Sequence, residues 1–157
     1  MTEGEVAVTN LEERLNVYQV DPNATKAVLA LEKYVRSSGL EESLYELIKI
    51  RASQLNGCAY CLDMHTRDAL AAGEDQRRIN ILAAWREAPG FFTDREQAAL
   101  SLTESVTLIG EDGVTDSVWD PAAEEFSEEE MVYLLMAISA INVWNRLAVA
   151  THQNLPE

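Results

Sequence analysis

Apolar positions recur along this chain at intervals of three and four, the spacing that places side chains on one face of an α-helix, and sustained two-residue alternation is scarce. After a polar lead-in, Asp21-Pro22 reads as an N-cap followed by proline at the first helical position. Val28, Leu29, Leu31 and Val35 then supply the apolar stripe of a first helix that stops near Ser37-Ser38-Gly39. A second helix starts at Glu41 and carries Leu44, Leu47, Ile48, Ala52 and Leu55 at helical spacing. Its acids come early, Lys49 and Arg51 come late as suits the helix dipole, and Asn56-Gly57 ends it. Residues 58–72 are helical again, rich in Ala, Leu and Met, with Gly73 suited to a left-handed C-cap. Ile79, Ile81, Leu82 and Trp85 mark a short helix closed by Pro89-Gly90. Thr93 with Glu96 forms a capping box ahead of a helix over residues 94–109. Residues 110–113 read as a turn, residues 116–126 with Pro121 as one or two short helices, and Ser127 with Glu130 as the cap of a last long helix reaching about Ala150. The pattern predicts an all-α protein, a compact single-domain bundle of six or seven helices spanning residues 1–157. The one candidate strand is residues 15–20. Met64, Met131 and Met136 are core candidates.

Charge narrows the partners. Acidic residues outnumber basic ones 27 to 12, for a formal charge of −15, which repels the phosphate backbone of nucleic acids and the surface of anionic lipid. The start, Met1-Thr2-Glu3-Gly4-Glu5, carries acids where a secretory leader carries Lys or Arg, and the longest apolar run, residues 131–141, falls short of a membrane span. The expectation is a cytoplasmic protein. Glu124, Glu125, Glu128, Glu129 and Glu130 read as a solvated helix start favoured by the dipole. Asn142, Asn145 and Arg146 read as a polar edge meeting solvent on an otherwise apolar last helix.

Chemistry concentrates in residues 57–65. The chain's two cysteines, Cys58 and Cys61, and one of its two histidines, His65, lie at i, i+3 and i+7, so they share one helix face. Cys58 falls at a helix N-terminus, where unpaired N–H groups favour a thiolate, while Cys61 has the His65 imidazole one turn away as a base. A Cys-x-x-Cys pair closes readily into a disulfide, so that one thiolate can attack an oxidant and the other resolve the sulfenic acid. Two other readings stay open: buried cysteines that merely pack, and a zinc site, for which two thiols and one imidazole supply three ligands of the usual four. The second histidine, His152, lacks finger spacing to His65.

Glu46, Cys58 twelve residues later, Cys61 and His65 together resemble the signature of the alkylhydroperoxidase AhpD-like family, within the carboxymuconolactone decarboxylase superfamily. The stretch of residues 47–57 resembles the helix before that family's motif, and residues 140–147 resemble the last helix of one of its branches. The core of the likeness is residues 40–73, with weaker similarity over most of the chain. The resemblance implies an all-helical homo-oligomer that reduces hydroperoxides through its cysteine pair without a cofactor. Cys61 would be the peroxidatic residue, Cys58 the resolving one, and His65 with Glu46 the proton relay. It points to a dithiol reductant such as a lipoyl-bearing protein. Some peroxidases of the family place a histidine between the cysteines; here Tyr60 holds that position, and a phenol is a poor base at neutral pH. A thiol-disulfide oxidoreductase is the alternative enzyme, and a non-enzymatic helical module the alternative outside enzymology.

Overall fold

Most α-helices in this protein, though not those that start at Glu42 and Asp116, begin at side chains that replace a missing backbone acceptor. The computed structural model describes residues 10–156, so the acidic start at residues 1–5 lies outside them. Asp21 accepts from the N–H groups of Asn23 and Ala24 ahead of α2, Pro22–Arg36. Thr93 and Ser127 close reciprocal capping boxes with Glu96 and Glu130 at the starts of α6, Asp94–Thr107, and α8, Glu128–Thr151. Such a cap contributes about 1 kcal/mol. Between them lie α3, Glu42–Asn56; α4, Ala59–Ala71; α5, Gln76–Ile81, which runs into short 3-10 turns; and α7, Asp116–Glu125, a single helix that keeps Pro121 inside it.

With a first turn α1, Val17–Val20, the described residues hold eight α-helices and no strand. The sequence expectation of a strand at residues 15–20 is therefore corrected. Asn16 caps the segment by accepting from the Gln19 N–H at 3.1 Å, and Asp21 N–H returns to the Val17 carbonyl, so local polar bonding takes up groups that a strand would need a neighbour to satisfy.

The bundle is organised around α3, whose residues are buried in an unbroken run from position 44 to position 50. One side of it packs with α6, α7 and α8 through Leu44, Ile48, Leu102, Phe126, Leu134 and Ile138. Another meets α4, α5 and the 3-10 turn through Leu47, Ile50, Ile79, Leu82 and Trp85. A helix wetted on no side must be central, and its polar residues are then inside the protein. Met131 joins this core, whereas Met136 is only partly buried and Met64 lines a pocket. Helix α8 is long and apolar enough to cross a membrane by length and composition, with a mean hydropathy of 1.4. Here it is a core helix, lying across α2, α3 and α6. Its C-terminal end is tied to the start of the described chain, where Arg14 N–H donates to the Thr151 carbonyl at 2.9 Å.

Candidate active site

The turn between α3 and α4 aims the thiols. Gly57 adopts φ 64°, ψ 35°, a left-handed conformation that suits glycine, and Cys58 N–H then bonds back to the Ser53 carbonyl at 3.0 Å. Cys58 emerges extended as the N-cap of α4, and its sulfur takes the place usually held by an oxygen, accepting from Cys61 N–H at 3.3 Å. Both cysteines are free thiols and nearly sealed from solvent, at 1% and 2% exposure. A hydrogen bond donated by the Cys61 thiol, opposed by burial and aided by the Cys61 N–H and the Asn145 side chain, brings the Cys58 thiol down to about 7. Cys61 moves upward, because it donates to Cys58, is buried, and faces the charge of Cys58. Near neutral pH the pair therefore holds one proton between two sulfurs.

Behind the thiols lies a ladder of buried charge. His65 Nδ1 lies 3.2 Å from Glu46 Oε2, so the structure brings together two residues that sequence places nineteen apart and that the resemblance implies as a pair. With Nδ1 engaged, Nε2 is the ring nitrogen left for the pocket. Glu46 Oε1 in turn lies 3.8 Å from Lys49 Nζ, and Lys49 donates to Glu32 Oε1 at 2.8 Å while sitting 3.6 Å from the centre of the Tyr45 ring. Tyr45 also donates to Glu32. Burial drives the Lys49 ammonium downward against the pull of both carboxylates. Burial and the Glu32 acceptor drive the Tyr45 phenol up, so it stays a donor. Sequence reasoning set Lys49 beside Arg51 as a dipole partner. In the structure Lys49 is 1% exposed and points inward, whereas Arg51 pairs with Glu104 at 2.8 Å. The signal available was register, since Lys49 follows Glu46 by three among Leu47, Ile48 and Ile50.

The polar edge expected on α8 is also corrected. Asn145 is 0% exposed: its Nδ2 donates to Ser53 Oγ at 3.0 Å, its Oδ1 accepts from Asn56 Nδ2 at 2.9 Å, and its side chain reaches both sulfurs. Ile141 and Ala148, one turn either side, pack against Cys58 and Cys61, which fixes Asn145 over the pair. Asn56 donates as well to Asn142 Oδ1, and Asn142 accepts from Arg146, whose side chain reaches solvent. The three polar residues read as one edge thus divide: Arg146 is exposed, Asn142 half-buried, and Asn145 part of the thiol site.

Cys61 and His65 open into a pocket of about 290 Å³, walled by Tyr60, Met64 and Trp144 with Arg36 at its polar side. The Tyr60 phenol is held upward by burial, so it is a neutral donor rather than a base. The zinc set considered from sequence is not the set that converges. Among the described residues, the grouping with ligand atoms within 4.8 Å of one another is Glu46, His65 and Asp68, and the Lys49 ammonium beside Glu46 opposes a cation there. The arrangement can hold a thiolate, pass a proton and admit a small molecule with an apolar body.

Comparisons with known proteins show the family and the fold. The profile of the carboxymuconolactone decarboxylase family matches residues 22–105. A Bacillus subtilis (strain 168) protein, the uncharacterized YdfG, is 42% identical over 140 residues, 89% of this chain and 95% of its own. The crystal structure of ATU0492 from Agrobacterium tumefaciens, a protein of unknown function proposed to be the antioxidant defence protein AhpD, superposes with a TM-score of 0.89 at 44% identity. It covers 93% of this chain and 99% of that one. The debrominase Bmp8, at 18% identity and a TM-score of 0.77 over 88% of this chain and 74% of its own, shares the fold.

Replacing Asn145 by Ala should raise the Cys58 thiol by on the order of one unit, the scale of one hydrogen bond to a charged group. It should also lower stability by roughly 2 kcal/mol, because Asn56 and Ser53 lose a buried partner. Thiolate absorbance against pH and urea unfolding measure the two effects. An unchanged thiolate titration would remove Asn145 from the site.

Proposed function

The chain belongs to the carboxymuconolactone decarboxylase family, and we propose that it is a thiol-dependent hydroperoxide reductase working through Cys58 and Cys61. The observation that carries this reading is the convergence of two buried free thiols, with the Cys58 sulfur accepting from the Cys61 N–H at 3.3 Å and Cys61 lining a pocket together with His65. The likeness to the proposed antioxidant protein of Agrobacterium tumefaciens points the same way, while that protein's own function is unknown.

Cys61 is assigned the attack because it lines the His65 pocket and Cys58 does not. The shared proton moves to the Cys58 sulfur and leaves a Cys61 thiolate. That thiolate attacks the terminal oxygen of ROOH; the O–O bond breaks, giving a Cys61 sulfenic acid and RO⁻, and the alkoxide takes a solvent proton delivered through His65. Glu46 orients the imidazole and stabilises its protonated form in passing. The Cys58 thiol then condenses with the sulfenic acid, expelling water and forming the disulfide, and a dithiol partner such as a lipoyl-bearing protein returns the two electrons. No metal or cofactor enters these steps.

Fully reduced protein should lose two thiols per chain on adding one equivalent of tert-butyl hydroperoxide; thiols that stay intact would sink the reading and favour an oxidoreductase acting on disulfides. Cys58→Ser should react once and stall as a trappable sulfenic acid, since the charge that holds the Cys61 proton is gone. Cys61→Ser should react far more slowly, His65→Ala should lose roughly 10²-fold in rate, and Glu46→Gln should lose less. A sulfenic acid trapped in Cys61→Ser with Cys58→Ser inert would invert the assignment.

Self-association belongs to the same reading. Val132 and Val143 are exposed along α8 with half-buried Leu135, Met136 and Leu147 beside them, and Leu108 and Ile109 stand more than 60% exposed at the end of α6. Apolar surface of this kind is commonly covered by a second copy in a homo-oligomer. Light scattering should give a mass above the 17.5 kDa of one chain, and a monomer mass would contradict it.

A further inference from the structure

The two sulfurs do not share one entrance. Cys61 lines the His65 pocket, whereas Cys58 lines a separate groove of about 210 Å³ formed with Leu11, Gly57, Tyr60, Val149 and His152. The groove has its own imidazole. His152 ends α8 in a left-handed conformation, φ 55° and ψ 48°, the one positive φ among the described non-glycine residues, which is unfavourable for a residue with a Cβ. Its Nδ1 lies 3.3 Å from the Glu12 carbonyl, which can only accept, so Nδ1 carries a proton and Nε2 is the nitrogen that can act as a base in the neutral ring. The wall that holds it is braced by Arg14, whose backbone and guanidinium donate to the Thr151 and Ala150 carbonyls. Each of the chain's two histidines thus lines the cavity of one of its two cysteines.

We propose that this groove is the entrance for the dithiol reductant, with His152 as the base that takes the proton of the attacking thiol. The inference rests on the redox reading above. In the oxidised chain the reductant's thiolate attacks Cys58 Sγ; the Cys58–Cys61 bond breaks, a mixed disulfide forms on Cys58, and Cys61 leaves as a thiolate that is protonated through His65. The hydrogen bond and charge by which Cys58 holds the Cys61 proton in the reduced pair are absent while Cys58 is bonded to the reductant, so Cys61 can leave. The reductant's second thiol then attacks its own sulfur in the mixed disulfide and closes a cyclic disulfide. Cys58 departs as a thiolate, and a thiol of about 7 is a good leaving group. Two electrons and one proton pass from the dithiol to the pair, which near neutrality holds a single proton, and the dithiol's other proton goes to solvent. Separate entrances let oxidant and reductant each reach a different sulfur of one bond.

Chain oxidised to the Cys58–Cys61 disulfide with diamide, then reduced by dithiothreitol in a single turnover, tests this without peroxide. His152→Asn, which keeps a residue tolerant of the left-handed conformation, should slow reduction about tenfold or more at neutral pH. Val149→Trp, which fills the groove from an exposed position, should do the same. In both variants, oxidation of the reduced chain by tert-butyl hydroperoxide should keep the wild-type rate. Reduction at the wild-type rate in both variants would overturn the proposal, as would equal slowing of the two half-reactions. A wild-type chain inert to peroxide would defeat the peroxidase reading while the diamide-made disulfide still decides the groove.

Discussion

A thiolate deprived of water persists only where protein donors replace the hydration it loses. Besides the Tyr60 N–H, three donors meet that condition at Cys58: the Cys61 thiol, the Cys61 N–H at 3.3 Å, and the Asn145 side chain. Each comes from a different structural commitment. The Cys61 N–H is available because Cys58 caps α4, the cap exists because Gly57 turns the chain through a left-handed residue, and Asn145 arrives from α8 because Ile141 and Ala148 pack on the pair. Loss of any one would leave the buried charge underprovided, and the bundle's central packing can be read as the frame that keeps all three in place.

The second set of buried charges works by balance. Glu46, Lys49 and Glu32 alternate in sign from His65 outward, with Tyr45 donating at the far end and Arg36 3.6 Å from Glu32. Buried ion pairs of this kind contribute little net stability, since desolvation offsets the attraction, but removing one partner strands a charge. Their use here is positional: Glu46 holds the His65 ring by Nδ1, and Lys49 lies 3.8 Å from the other Glu46 oxygen.

Much of this was legible in the sequence where one local rule decided the outcome. Capping boxes at Thr93 and Ser127, the Gly57 stop, and the register of Cys58, Cys61 and His65 each depend on residues within a turn of one another, and the structure has them as read. Glu46 was found only through the resemblance, because its partner lies on another helix. Lys49 and Asn145 were misread for a common reason. A polar residue on an apolar helix is solvated if its helix is at the surface and enclosed if the helix is central, and periodicity cannot tell these apart when apolar residues run all round. Residues 15–20 failed differently, since the Asn16 cap outweighed their short alternation. His152 carried no motif; its conformation and its groove exist only in three dimensions.

The central claim is that the two buried thiols lose one of their two protons near neutrality and share the one that remains, which arms the pair. The most direct measurement is the single-turnover rate at which excess tert-butyl hydroperoxide oxidises the reduced chain, followed from pH 5 to pH 10. The account predicts a rate that rises through a midpoint near about 7 and then levels, because the thiolate is already formed above it. A rate that is still climbing tenfold per pH unit at about pH 8, the behaviour of an ordinary thiol with a value near 8.5, would contradict it.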